Sequence, residues 1–491
     1  MLGQRALVSL ASFILTAAVL LAPAGQVSFA AGGSQIAPTV RFTDPDGVVG
    51  DNFGYSVALS ADGSTALIGA SSAMVNGVSV GKAYIFSKVN GIWSTTPVAT
   101  LAYPGPTGYA GDFFGSAVAL SKDGSTALVS APGMEQVYVY HRANGLWGSS
   151  PIATLNNPDP ADGGAFGDCF GCAIGLSSNG SIALIGVASA YVGSAPGVGK
   201  GYIFIQSNGA WSTTPVATFS DPGNIQDDQF GYSVALSGDG ATALIGTAQL
   251  FTQQFGNSRA FIFTQTNGNW LSGPSVIFAD PHGTNEDWFG SAVALSSAGS
   301  TALIGADRLN SSSGAAYLFS SVNNSWSATP TQIFSDPDMK TGDFFGGSVT
   351  LSADGTIALI GASGASANGA ALSGKAYIYE ESNGLWAMSP VATMVDPNAG
   401  AGIYDAFGTS VAMSAAGDTV LVGAPQTPGA SPPPPNQIPT HGGPGQAYIF
   451  QTSDGWGNPN PPPPGGTGGA GSFSWLALVL LCGLLTRRKY S

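Results

Sequence analysis

The side chains that could do chemistry in this chain are nearly all carboxylates. Asp44, Asp46 and Asp51 crowd one short segment and make the best candidate for a cation site, because hard cations take oxygen ligands, several of them charged. The crowding returns along the chain at Asp112, at Asp159, Asp162 and Asp168, at Asp221, Asp227 and Asp228, at Asp280, Glu286 and Asp287, at Asp336, Asp338 and Asp343, and at Asp396 and Asp405. These segments hold 18 of the 28 acidic residues, so acidity is tied to one kind of connection. Each segment places an Asp two residues before a Phe-Gly pair: Asp51, Asp112, Asp168, Asp228, Asp287, Asp343 and Asp405. Such regularity predicts a structural task, accepting backbone N–H bonds in the turn before a strand. Lys82, Lys200, Arg259 and Lys375 either pair with these acids or stand as solvated edge charges.

Other chemistry is sparse. Cys169 and Cys172 form a C-x-x-C with no second pair to complete a zinc site. They are read as two half-buried thiols or a local disulfide. His141, His282 and His441 fall at unrelated places, and no G-x-S-x-G, H-E-x-x-H or P-loop occurs. No residue is nominated as catalytic and no cofactor is expected. With so many carboxylates, pairs at glycosidase spacing arise by chance. Once Arg5, Arg487, Arg488 and Lys489 are set aside, ten basic residues face 28 acidic ones, a net charge of −18. Nucleic acid is excluded as a partner. Steering favours a cationic ligand or a basic protein surface.

The elements that position these groups come from a repeat. The pairs Phe53-Gly54, Phe114-Gly115, Phe170-Gly171, Phe230-Gly231, Phe289-Gly290, Phe345-Gly346 and Phe407-Gly408 recur at spacings of 56 to 62 residues. A period of that size decides the architecture. Within the first unit, Tyr55–Ser60 alternates as a strand, Asp62-Gly63 turns, and Thr65–Gly69 is a buried second strand. Lys82–Phe86 makes a third strand, Asn90-Gly91 a hairpin turn, and Trp93–Leu101 a fourth strand. Four antiparallel strands in series predict an all-β, seven-bladed propeller. The seventh unit stops after Trp456 without a fourth strand. The orphan segment Pro38–Phe42 matches Pro215–Phe219 and is expected to supply the missing outer strand, tying both ends of the domain together. Each repeated Phe is expected to plug between blades, and each Gly to let the backbone turn.

Phe-Gly near the first strand, with Gly69-Ala70, Gly305-Ala306, Gly361-Ala362 and Gly423-Ala424-Pro425 after the second, resembles the FG-GAP repeats of integrin alpha-subunit heads and bacterial surface proteins. The resemblance covers residues 35 to 456 and implies a propeller used for binding or adhesion. Many of those repeats carry a D-x-D-x-D-G calcium loop between the first two strands. Here that place holds Ser60-Ala61-Asp62-Gly63 and its equivalents, with one carboxylate at most, so calcium binding is not carried over.

The ends read as targeting segments. Residues 1–30 form a signal peptide, with cleavage after Ala30. The propeller is assigned to 31–456, a Pro/Gly-rich linker to 457–472, and an apolar tail with a basic end to 473–491. That tail is similar to GlyGly-CTERM sorting tails, and a plain membrane anchor is the alternative. The chain is thus expected to be exported from a Gram-negative bacterium. It would be secreted or displayed at the cell surface as a monomer, touching the membrane only through its tail. It would act as a binding or adhesion module for an extracellular protein or glycan, through an acidic, loop-rich face. A propeller hydrolase or lyase on extracellular polysaccharide, or a purely structural surface protein, are the other readings.

Overall fold

The computed structural model describes residues 34–105, 111–160, 168–248, 258–283, 287–399, 404–426 and 444–456. The expected leader up to Ala30, linker and tail lie outside these residues, as do Asp162, Glu286 and His441. No helix among the described residues is long and apolar enough to cross a membrane.

Seven small antiparallel sheets form a ring, a seven-bladed β-propeller. Blade one shows the pattern. Phe53–Leu59 lies innermost, Thr65–Ala70 next, Lys82–Val89 third, and the outer strand last. Second strands are flanked on both sides and covered on both faces, so Thr65–Ala70 is buried at every position. That is why it reads as an unbroken apolar run rather than an alternating one. The outer strand is broken, a correction to the continuous strand expected from Trp93 to Leu101. Ile92–Trp93 and Ala99–Ala102 pair separately with the third strand. Pro97, which has no N–H to give the ladder, stands in the gap. Pro151, Pro215, Pro274, Pro330 and Pro390 repeat the break in blades two to six.

Closure follows expectation. Val40–Thr43 pairs antiparallel with Gln446–Gln451 and completes blade seven. A further strand, Ser34–Ile36, runs parallel to Ala392–Val395 at the edge of blade six, so the N-terminal segment straps two blades. Phe53 and its six counterparts are fully buried. Phe53 packs with Tyr84 and Phe86 of its own blade and with Leu421 and Ile449 of blade seven, filling the seam as expected.

Two glycines of the repeat meet across six of the seven seams, and between blades two and three Ser130 stands opposite Gly171. At Gly54, φ is +91° and an added Cβ would lie 2.3 Å from the Gln446 carbonyl oxygen. At Gly423 a Cβ would lie 1.9 Å from the Gly54 carbonyl oxygen. At this seam neither position has room for a Cβ without a shift of the backbone. Near the axis the turns after the innermost strands link head to tail. Ala61 N–H donates to Lys122 O, Lys122 to Ser178, Ser178 to Gly238, Gly238 to Ser297, Ser297 to Ala353, Ala353 to Ala415, and Ala415 back to Ala61, at 2.8–2.9 Å.

Candidate functional site

The acidic connections run from each outer strand to the next Phe-Gly. The first acid of the loop caps the turn. Asp44 accepts N–H bonds from Asp46 and Val48 at 3.0 and 3.1 Å, and Asp336 accepts them from Asp338 and Lys340, both at 3.0 Å. Asp221, Asp280 and Asp396 repeat this, and Asn157 stands in for them in blade three. The Asp before Phe-Gly instead offers its main-chain carbonyl. Asp51 O accepts from Ser72 N–H, and Asp112, Asp168, Asp287, Asp343 and Asp405 do the same for the loop beside them. In blades one and six the amide-accepting carboxylates are thus Asp44 and Asp336, which open the loop, rather than the expected Asp51 and Asp343.

The structure brings Asp44, Asp46 and Asp51 together, with ligand-bearing atoms within 4.8 Å of one another. Asp336, Asp338 and Asp343 form the same cluster, as do Asp280, His282 and Asp287. At the first of these the chain's own cation is already in place. Lys82 Nζ lies 2.5 Å from Asp46 Oδ2, and the Tyr84 hydroxyl donates to the same oxygen at 2.8 Å. Lys200 pairs with Asp159, Arg259 with Asp221 and Asp228, and Lys375 with Asp338. All four basic residues that open third strands are therefore paired. Burial, reinforced by the neighbouring acids, pushes the Asp51 and Asp343 carboxyls up to about 6. Against the cost of its own burial, hydrogen bonds from Lys82 and Tyr84 hold Asp46 below its ordinary value.

Burial changes what the acidic face presents. Of the 18 acids in these loops, Asp44, Asp51, Asp112, Asp168, Asp221, Asp228, Asp280, Asp287, Asp336, Asp343, Asp396 and Asp405 are buried. Asp46, Asp159 and Asp338 are taken up in ion pairs. The acidity holds the loops together more than it decorates the surface. The turns between first and second strands are the Asx-Gly type expected, with Asp62 accepting from Ser60 Oγ and from Ser64 N–H. Cys169 and Cys172 are joined in a disulfide, which settles the alternative left open for them.

A cavity of about 570 Å³ opens at the axial mouth, on the face that carries the loops. Its wall comes from the residues on either side of Phe-Gly: Asn52 and Tyr55, Phe113 and Ser116, Cys169 and Cys172, Gln229 and Tyr232. The residue before Phe holds a left-handed backbone in all seven blades: Asn52, Phe113, Cys169, Gln229, Trp288, Phe344 and Ala406, with φ between 50° and 65°. For residues with a Cβ this conformation costs roughly 1–2 kcal/mol each, and it sets these side chains at the mouth. Tyr55, Phe113 and Tyr232 are exposed there. Tyr232 meets Trp288 edge-on, and Arg308 lies 4.2 Å from the Trp288 ring and 4.9 Å from that of Phe344. Although Tyr232 is 36% exposed, the walls of the mouth shield its hydroxyl from solvent and, with help from Asp307, push it up to about 12, so it stays a neutral donor and acceptor. At the other end of the axis Leu59, Leu120, Leu176, Leu236, Leu295, Leu351 and Met413 ring a smaller cavity. Apart from Cys169 and Cys172, these flanking residues are not among the candidates drawn from the sequence. Their signal was variation in residue type at a fixed place in an otherwise regular repeat.

No curated protein matches the chain. The family described as FG-GAP repeat matches residues 38–86, 277–319 and 329–379. Each matched stretch reaches from an outer strand to the third strand of the blade that follows, the same offset by which Val40–Thr43 completes blade seven. The chain carries FG-GAP repeats, and they are arranged as a seven-bladed β-propeller.

Proposed function

We propose that the protein is an exported binding module that takes a glycan in the mouth of its axial cavity. The observation that carries this reading is the wall of that cavity. Exposed Tyr55, Phe113 and Tyr232 offer flat apolar faces, and Asn52 and Gln229 offer amides between them. A few polar groups set among aromatic rings is the usual make-up of a small-molecule or sugar site. The strained backbone before each Phe supports the reading, since sparsely populated conformations cluster at functional sites. Among the described residues the lining offers the Tyr55 and Tyr232 hydroxyls but no Asp, Glu or His beside them, so the binding reading is preferred to the hydrolase or lyase one. The burial of twelve loop acids turns the expectation of a basic partner toward a neutral one. Export, surface display and processing of the tail are part of the same proposal and rest on residues 1–30 and 457–491.

Glycan-array screening followed by calorimetry on the full-length protein tests it. Phe113→Gly and Tyr232→Ala are expected to weaken binding of an array hit by about tenfold or more, as removal of an aromatic anchor does. Phe113→Gly should at the same time leave the melting temperature unchanged or raise it, because glycine accepts the left-handed backbone. Unchanged affinity in both variants would refute the assignment of the mouth.

A further inference from the structure

We infer that Asp396, Asp405 and Gln426 of blade seven form a binding site for a divalent, oxygen-seeking cation such as calcium. The argument compares equivalent loops. In blade four the corresponding acids are Asp221 and Asp228, and Arg259 Nη2 bridges Asp221 Oδ2 at 2.9 Å and Asp228 Oδ2 at 3.3 Å. Blades one, three and six set Lys82, Lys200 and Lys375 at the position of Arg259. In blade seven that position is Gln446. Its Oε1 lies 2.5 Å from the Tyr448 hydroxyl, which in turn is 2.7 Å from Asp396 Oδ1. Asp396 Oδ1 also accepts the Asn398 N–H at 2.7 Å, just as Asp221 Oδ1 accepts from Gly223. The second oxygens are therefore the equivalents of the two that Arg259 bridges.

Among the described residues those oxygens have no hydrogen-bond partner. Asp396 and Asp405 are 0% and 1% exposed, and Asp396 Oδ2 and Asp405 Oδ2 are buried and unbonded. Gln426 is 5% exposed and donates through Nε2 to Asp405 Oδ1 at 3.1 Å, while its own Oε1 is a third buried, unbonded oxygen. Asp51 and Asp343 in blades one and six also keep one unbonded oxygen each, but both of those sites carry a lysine. Arg41, on the strand paired with the third strand of blade seven, is exposed and forms no ion pair among the described residues. Two buried carboxylates without a counter-charge are costly, and a doubly charged ion neutralises both. The donors are all oxygen, two of them charged, which suits calcium rather than zinc. This is a different place from the calcium loop between first and second strands, where one carboxylate stands alone.

The test uses the full-length protein stripped with a chelator. Calcium chloride is expected to give a saturable calorimetric signal and, at ~100-fold above Kd, to raise the melting temperature by about 3 °C. Gln446→Lys, which restores the cation of blades one and six, should fold at least as well and lose the response to calcium. Asp405→Asn should weaken it at least tenfold. Absence of a calcium response in the wild type overturns the inference, as does a full response in both variants. A wild type stabilised by acidification but not by calcium also overturns it, in favour of a proton shared by the two carboxylates.

Discussion

The N-terminal strand is what closes the ring, and Phe42 is the residue through which that claim is best tested. Phe42 is fully buried, stacked on Phe86 with ring centres 4.4 Å apart and edge-on to Trp93 at 5.4 Å. Phe219 makes the same contacts inside the ring, at 4.4 Å to Phe263 and 5.3 Å to Trp270. Truncation of a fully buried Phe to Ala costs about 3–5 kcal/mol. With an unfolding entropy of roughly 2.1 cal/mol/K per residue over roughly 420 residues, that is a fall of about 3–6 °C in melting temperature. Phe42→Ala and Phe219→Ala should therefore fall alike in differential scanning calorimetry. Only Phe42→Ala should speed amide exchange along Gln446–Gln451, because its strand is held at one end of the chain and can peel away. Deleting residues 35–42 should cost more than either. If Phe42→Ala melted within 1 °C of the wild type while Phe219→Ala did not, the strand would be an ornament and the account of closure wrong.

Other outcomes follow from the seams and the loops. Gly361→Ala, whose Cβ would sit 2.1 Å from the Gly408 carbonyl oxygen, should lose stability well beyond the ~1 kcal/mol expected for Gly384→Ala at an open hairpin turn. Equal losses in denaturant titrations would discount the seam contact. Stability should also depend on pH in a stated sense. Asp51 and Asp343, raised to about 6, and Asp405, raised to about 7, bind protons more tightly folded than unfolded. Their contribution is full below about pH 4 and is lost as pH rises through 6 and 7. With calcium chelated, the melting temperature should fall between pH 5 and pH 8, and Asp405→Asn should flatten that slope. A rising or flat wild-type profile would contradict the burial argument. Asp46, held low, acts in the opposite sense only on the acid side of this window.

Much of the fold was legible because it is written seven times. Phe-Gly marks each innermost strand, Trp marks the start of each outer one, and the orphan segment before Phe53 announces the closure. The break in the outer strand was legible too, at Pro97 and its equivalents, but the alternation around it masked the missing donor. The strand Ser34–Ile36 gave no signal, being three residues whose pairing depends only on where the chain passes blade six. The acids were counted correctly and misplaced, since composition records a charge and not its burial. The same limit hid blade seven. Gln446 looks like any polar residue until the register sets it beside Arg259 and Lys375. The mouth residues vary in type at a fixed offset from Phe-Gly, and the sequence alone does not show that they converge on one cavity.

The belt of hydrogen bonds near the axis gives the molecule a property that the covalent chain lacks. Every blade donates to its successor and accepts from its predecessor, and Ala415 to Ala61 is a joint like the other six. Along the backbone the seam between blades seven and one is where the sequence starts and stops. Around the axis it is indistinguishable, so new termini could be cut into any Asn-Gly hairpin and the old ones joined without disturbing the circle. The same directionality penalises an open ring. A blade removed without reclosure would leave one N–H and one carbonyl of the belt without their partners. The seven blades are thereby a closed circuit in the main chain itself, on top of the packing of their side chains.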